Sequence, residues 1–179
     1  MKKQYLLVFS LLLCIHLAAQ TPGNALHFDG GANYVSAGLP AVFDDISSND
    51  LTVEAQVRYT GTGFTRVFYA QKDQNNFFNI SVTNFSGQME LYVYVGDAGT
   101  THSVRTSTGL TIGENHHIAA RWTALTNSLE IFVDGVLAGA SFGGDTSTGV
   151  NEVMTIGSRT DGGQSFQGEI DELAVWSEA

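Results

Sequence analysis

Residues 51–60, LTVEAQVRYT, decide the fold. Leu51, Val53, Ala55, Val57 and Tyr59 fall on one face of an extended chain, and Thr52, Glu54, Gln56, Arg58 and Thr60 fall on the other. Side chains repeat every two residues in a strand, so this segment has one dry face and one wet face. A strand of that kind needs a second layer to cover its dry side.

Working outward, the same alternation recurs. An interrupted strand pair is expected over residues 25–36. Strands follow at RVFYAQK (66–72), FFNISV (77–82), MELYVYV (89–95) and HSVRTS (102–107). The second and third of these form a hairpin through NFSG. HHIAARWTA (116–124) and SLEIFVD (128–134) meet across LTN, and the Asp134-Gly135 pair turns the chain into GVLAGASF. VMTIGSR (153–159) and EIDELAVW (169–176) complete the series. About a dozen short strands punctuated by Gly, Asn and Asp predict an all-β sandwich or barrel. No internal repeat or low-complexity tract interrupts the pattern.

Residues 1–20, MKKQYLLVFSLLLCIHLAAQ, have another character: two lysines, an apolar run over 6–17, then Ala18-Ala19. This is the layout of a cleavable signal peptide, with cleavage expected near Ala19 or Gln20. A lipoprotein signal needs a small residue before Cys14, where Leu13 stands. The folded domain is assigned to residues 24–179, and the protein is expected to be secreted, extracellular or at the cell surface. The run is short for a bilayer span, so no membrane insertion is expected once the signal is removed.

The chain carries 8 Lys and Arg against 18 Asp and Glu, a formal charge of −10. Without Lys2 and Lys3 six basic residues face those 18 acids, and the charge becomes −12. Such a surface repels phosphate backbones and excludes nucleic acid as the expected partner. Scattered carboxylates suit a hard cation such as Ca2+. Cys14, the one cysteine, leaves with the signal, so no disulfide is expected in the exported domain.

Several segments, in this order, resemble LamG-like jellyroll domains of the concanavalin A-like lectin and glucanase superfamily. They are ALHFDGGANYVSAG, LTVEAQVRY, NHHIAARWTALTNSLEIFVDGVLAG, TIGSR and GEIDELAVW. The resemblance spans residues 25–176 and implies two packed antiparallel sheets. Relatives usually carry Trp where this chain has Gln56 and again where it has Asn115. The resemblance also implies binding rather than catalysis as the default role, although the superfamily hosts both and fold does not choose between them.

The candidate sites follow. His116 and His117 are adjacent on a strand, point to opposite faces and cannot chelate one ion. His116 is expected toward the core, His117 on the other face, and both in structural hydrogen bonds. Glycan-cleaving relatives carry a Glu-x-Asp-x-Glu array. Here Glu169 and Asp171 share a face, Leu173 stands at the third position and Glu172 is expected to point the opposite way. The carboxylate set for hydrolysis is therefore incomplete.

For Ca2+, the FDGGANY turn offers Asp29, glycine carbonyls and Asn33, and the resemblance implies that Asp171 lies alongside. The metal candidates are Asp29, Asn33 and Asp171. The alternative is that Asp29 caps a turn and Asp171 is an ordinary hydrogen-bonded acid. For a glycan, Tyr92 and Tyr94 alternate with Leu91, Val93 and Val95 and can face outward, while Phe64, Phe77 and Phe166 lie near predicted loops. The alternative places these rings in the sandwich or its rim. Asn79-Ile80-Ser81 and Asn84-Phe85-Ser86 match glycosylation acceptors.

The expected function is a noncatalytic binding or adhesion module for extracellular glycan or glycoprotein. The alternatives are a glycoside hydrolase of the same superfamily and a structural spacer of a larger surface protein.

Overall fold

The computed structural model describes residues 24–38, 41–46, 48–73, 76–85, 88–97, 100–106, 109–143 and 153–177. The expected signal peptide lies outside them. Twelve strands form among the described residues, together with two 3-10 turns at Ala41–Asp44 and Ala124–Thr126. The strands are β1 (Leu26–Asp29), β2 (Val35–Ala37), β3 (Leu51–Tyr59), β4 (Gly63–Asp73), β5 (Asn76–Phe85) and β6 (Gln88–Asp97), followed by β7 (Thr100–Thr106), β8 (Asn115–Thr123), β9 (Ser128–Val133), β10 (Val136–Phe142), β11 (Val153–Ile156) and β12 (Gln167–Trp176).

They make two antiparallel six-stranded sheets. The first has the order β1-β12-β3-β8-β9-β10 and the second β2-β11-β4-β5-β6-β7. The alternation predicts an all-β sandwich or barrel, and this is the two-sheet sandwich that the family resemblance implies. The opening segment of β3 is the clearest case: Leu51, Val53, Ala55, Val57 and Tyr59 are all buried, and the residues between them are half-buried.

The interrupted pair expected over residues 25–36 does not pair with itself. β1 joins β12 in the first sheet, and β2 joins β11 in the second. Positive φ at Gly30 (82°) and Ala32 (64°) turns the chain out of one layer and into the other. The Asp134-Gly135 turn does form as expected, with φ of 51° and 76° joining β9 to β10.

The core lies between the sheets. Trp122, Phe43, Phe68, Phe78, Phe166 and Tyr59 are among its fully buried side chains. Each such side chain contributes about 1.5–3 kcal/mol by leaving water. Residues 41–46, which carry no periodic signal, hold Phe43 and Ile46 in this core. Phe43 stacks on Phe68 with centroids 5.8 Å apart, and the Trp122 Nε1–H donates to the Ile46 carbonyl at 2.7 Å.

β12 contains a bulge. Its pairing with β3 shifts register between Asp171 and Ala174, and Glu172 has a φ of 49°. A bulge inserts one residue and breaks the alternation of faces. Leu173 consequently packs against the core instead of sharing a face with Glu169 and Asp171.

Candidate functional site

The outer face of the second sheet, turned away from the core, carries an unusual set of side chains. Register places Arg66, Ser81, Tyr92 and Arg105 in one row across β4 to β7, and Tyr69, Asn79, Tyr94 and Ser103 in the next. The inward residues Leu91, Val93 and Val95 are fully buried, so Tyr92 and Tyr94 face outward, as their alternation predicts.

Five rings form a continuous cluster here. Phe64 stacks on Tyr94 with centroids 6.2 Å apart, Tyr92 lies 4.7 Å from Tyr94, and Phe77 meets Tyr94 edge-on at 5.5 Å. Tyr69 adjoins Phe77 at 6.2 Å. Phe64, Phe77, Tyr92 and Tyr94 are half-buried and so keep surface exposed. Phe166 does not belong to this face. It is fully buried and packs edge-on against Phe28 in the core.

Arg66 sits among these rings. Its guanidinium carbon lies 4.9 Å from the Phe64 centroid, 5.0 Å from Tyr94 and 5.2 Å from Tyr69. Nη1 donates to Ser81 Oγ at 2.8 Å and to the Tyr94 hydroxyl. Ser81 in turn donates to Asn79 Oδ1 at 2.9 Å. Burial pushes the Arg66 guanidinium below the ordinary arginine range and lifts the Tyr69 and Tyr94 hydroxyls above the tyrosine range. Groups perturbed together in this way mark functional-site candidates.

Two donors on this face, Arg66 Nε–H and Asn79 Nδ2–H, have no hydrogen-bond partner among the described residues. Buried polar groups are rarely left so, because each costs about 1–3 kcal/mol. Stacked rings, hydroxyls and free donors side by side suit a ring-shaped ligand with an apolar face and polar edges. Tyr92, Tyr94, Phe64 and Phe77 were legible as candidates. Arg66, Tyr69, Asn79 and Ser81 were missed, although Phe77, Asn79 and Ser81 alternate cleanly with the core residues Phe78, Ile80 and Val82. Asn79 and Ser81 are fully buried, so the Asn79 acceptor motif is closed to glycosylation in the folded chain.

The first sheet bears a cavity of about 230 Å³ on its own outer face, lined by Gln56, Arg58, Asn115, Glu169, Asp171 and Glu172 among others. Glu172 was expected to point the opposite way; the bulge brings it to the same cavity as Glu169 and Asp171. Both positions where relatives carry Trp, Gln56 and Asn115, also open on this cavity. Arg58 clamps Glu169 with two bonds, Nε to Oε2 at 2.9 Å and Nη2 to Oε1 at 2.5 Å. That hydrogen bonding holds Glu169 below the usual carboxylate range.

The expected calcium ligands do not converge. Asp29 Oδ1 accepts from Gly31 N–H at 2.7 Å and from the Asn33 amide at 3.0 Å, which closes the turn. Asp29 faces Gln167 across the β1–β12 pair, whereas Asp171 lies four residues farther along β12. At about 3.3 Å per residue that separates Asp171 from the turn by roughly 13 Å. Calcium needs six to eight oxygens at about 2.3–2.6 Å, and this set does not fit one ion. No group of three or more His, Cys, Asp or Glu able to hold a metal occurs among the described residues. Asp171 Oδ1 instead accepts from the Glu172 N–H at 2.9 Å, at the bulge.

The histidines lie on opposite faces as expected. His116 is buried, and its Nε2 accepts the Thr111 N–H at 3.0 Å while Nδ1 meets Asp134 Oδ2 at 2.8 Å. His117 Nε2 lies 3.1 Å from Glu54 Oε2.

A family model described as the concanavalin A-like lectin/glucanases superfamily matches residues 29–179. Among solved structures, a heptameric SAP-like pentraxin from Limulus polyphemus is similar with a TM-score of 0.61 and 22% identity, over 73% of this chain. This chain spans 65% of that pentraxin chain. Domain 4 of AbnA, an extracellular GH43 arabinanase from Geobacillus stearothermophilus solved with arabinotriose, gives a TM-score of 0.64 and 22% identity over 87% of this chain and 71% of that one. The CBM40 of Ruminococcus gnavus IT-sialidase, bound to α2,3-sialyllactose, gives 0.62 and 11% over 83% and 94%. At such identities the likeness carries the fold alone. No curated protein matches the sequence. The family match runs from Asp29 onward through both sheets, and on that ground the chain belongs to the concanavalin A-like lectin/glucanases superfamily.

Proposed function

We propose that this chain is a noncatalytic extracellular module that holds glycan on the outer face of its second sheet. One observation carries the reading: the half-buried ring cluster of Phe64, Phe77, Tyr92 and Tyr94 stands beside buried donors that have no partner among the described residues. Rings of this kind stack on the apolar face of a sugar, and the Arg66 guanidinium among them bonds its oxygens. Two solved structures of similar fold are complexes with arabinotriose and sialyllactose, which supports the ligand class. The signal-like first 20 residues support an extracellular setting. No helix among the described residues is long and apolar enough to cross a membrane.

A glycoside hydrolase is the second reading, favoured by the three carboxylates that line the cavity of the first sheet. The Arg58 clamp weighs against it. A general acid must hold its proton near neutral pH, and Glu169 is pushed the other way.

Polysaccharide panels read for both retention and reducing-sugar release separate the readings. Retention without release is expected, and Tyr92→Ala weakens it about tenfold or more. Release that disappears in Glu169→Gln would establish the hydrolase instead. Neither retention nor release would leave a structural spacer.

A further inference from the structure

The chain has five arginines. Four of them meet a carboxylate: Arg58 with Glu169, Arg105 with Glu90, Arg121 with Glu130 and Arg159 with Asp161. The fifth, Arg66, has none among the described residues, although acids outnumber bases by 18 to 8 in the sequence. It is also the most buried of the five, at 6% exposure.

A buried cation without a counter-charge is costly. Three aromatic rings at 4.9–5.2 Å offset part of that cost. They do not use the guanidinium's hydrogen-bonding capacity. Nη1 is bound by Ser81 and Tyr94, while Nε–H is unpaired. The Asn79 Nδ2–H is unpaired on the same face. Arg159 also acts on Arg66 and Tyr69, but it is paired with Asp161, whose charge acts on Tyr69 in the opposite sense. A guanidinium with no carboxylate and donors with no partner among the described residues, set in rings within a strongly acidic protein, are complementary to an anion.

We infer that this face selects glycans bearing an acidic sugar, whose carboxylate or sulfate group is anchored by Arg66 while the sugar ring lies on the neighbouring aromatics. The inference rests on the glycan-binding reading above and narrows it. A planar fork donating to an oxyanion makes a charge-assisted bond, about twice as strong as a neutral one. The protein's overall negative charge repels acidic polymers at long range, so selection by this face is local and geometric.

The test uses the protein and paired ligands with and without the acid: sialyllactose against lactose, which lacks the whole acidic sugar, polygalacturonate against its methyl ester, and a sulfated galactan against its desulfated form. At least one acidic member is expected to bind about tenfold or more above its neutral partner. Arg66→Gln is expected to abolish that preference, and Arg66→Lys to restore only part of it, since the ammonium lacks the fork. Preference for the sulfated member alone supports the inference and identifies sulfate as the group held. Equal binding of every acidic and neutral pair overturns the inference and leaves the glycan-binding reading intact. An acid preference that persists undiminished in Arg66→Gln also overturns it. Absence of binding to every member defeats both. If Arg66→Gln fails to fold, the paired comparison on the unmodified chain decides.

Discussion

His116 is buried with both ring nitrogens engaged. Because Nε2 accepts a backbone N–H, the ring proton sits on Nδ1 and is donated to Asp134. Asp134 also accepts the His117 N–H at 2.9 Å, so one turn residue ties β8 to the β9–β10 hairpin. Replacing His116 with Ala removes a buried ring with its bonds to the Thr111 N–H and to Asp134, and is expected to cost about 1–3 kcal/mol in urea denaturation. The His116 hydrogen bond holds Asp134 below the ordinary carboxylate range, and the Arg58 hydrogen bond does the same to Glu169. A carboxylate with a depressed folded pKa stabilises above its unfolded value and loses that contribution as pH falls through the folded one. The urea midpoint is therefore expected to hold between about pH 7 and 5 and to fall below about pH 4. Asp134→Asn should blunt the fall, and a midpoint that rises on acidification would contradict the assignment. The structural role of the two histidines was legible because neighbours on a strand diverge. Arg66 was not, because nothing local in RVFYAQK announces that no carboxylate will face it.

β12 joins the first sheet through two features of its backbone. At one end Gly168 has a φ of 137°, and a Cβ there would lie 1.9 Å from the Arg58 carbonyl oxygen. Gly168→Ala is expected to cost about 3 kcal/mol or more, read from the melting temperature, because backbone rather than a mobile side chain stands in the way. A melt within about 2 °C of the parent would contradict this close approach. Farther along, the bulge reorients Glu172 and Leu173. Strict alternation is legible in β3, β5 and β6, where each residue keeps its face. It fails at Ala32 and Glu172, where non-glycine residues adopt positive φ and leave no compositional mark. The same limit hid the division of β1 and β2 between two sheets, since their partners β12 and β11 lie more than a hundred residues away.

The two sheets give the molecule two outer faces of different chemistry. The first carries a polar cavity with carboxylates, one of them locked to Arg58. The second carries rings, a buried amide and a cation with no counter-charge among the described residues. The all-β class was legible from hydrophobic period, because burial of alternate residues is what the period encodes, whereas the choice of sandwich over barrel came from the family resemblance. Which face binds was not legible, since it depends on the cross-strand company each side chain keeps. If the second face holds ligand, Tyr92→Ala removes a ring from the surface and not from the core. It is expected to weaken retention about tenfold while the melting temperature moves by less than about 4 °C. A variant that loses stability and binding together would place that ring in the structural framework instead.

The central claim is the location of the binding face, and hydrogen–deuterium exchange of the protein with and without a retained glycan tests it most directly. The account predicts slowed exchange along β4, β5 and β6, around Arg66, Asn79 and Tyr94, with β3 and β12 unchanged. Protection confined to β3 and β12, around Gln56 and Glu169, would contradict it.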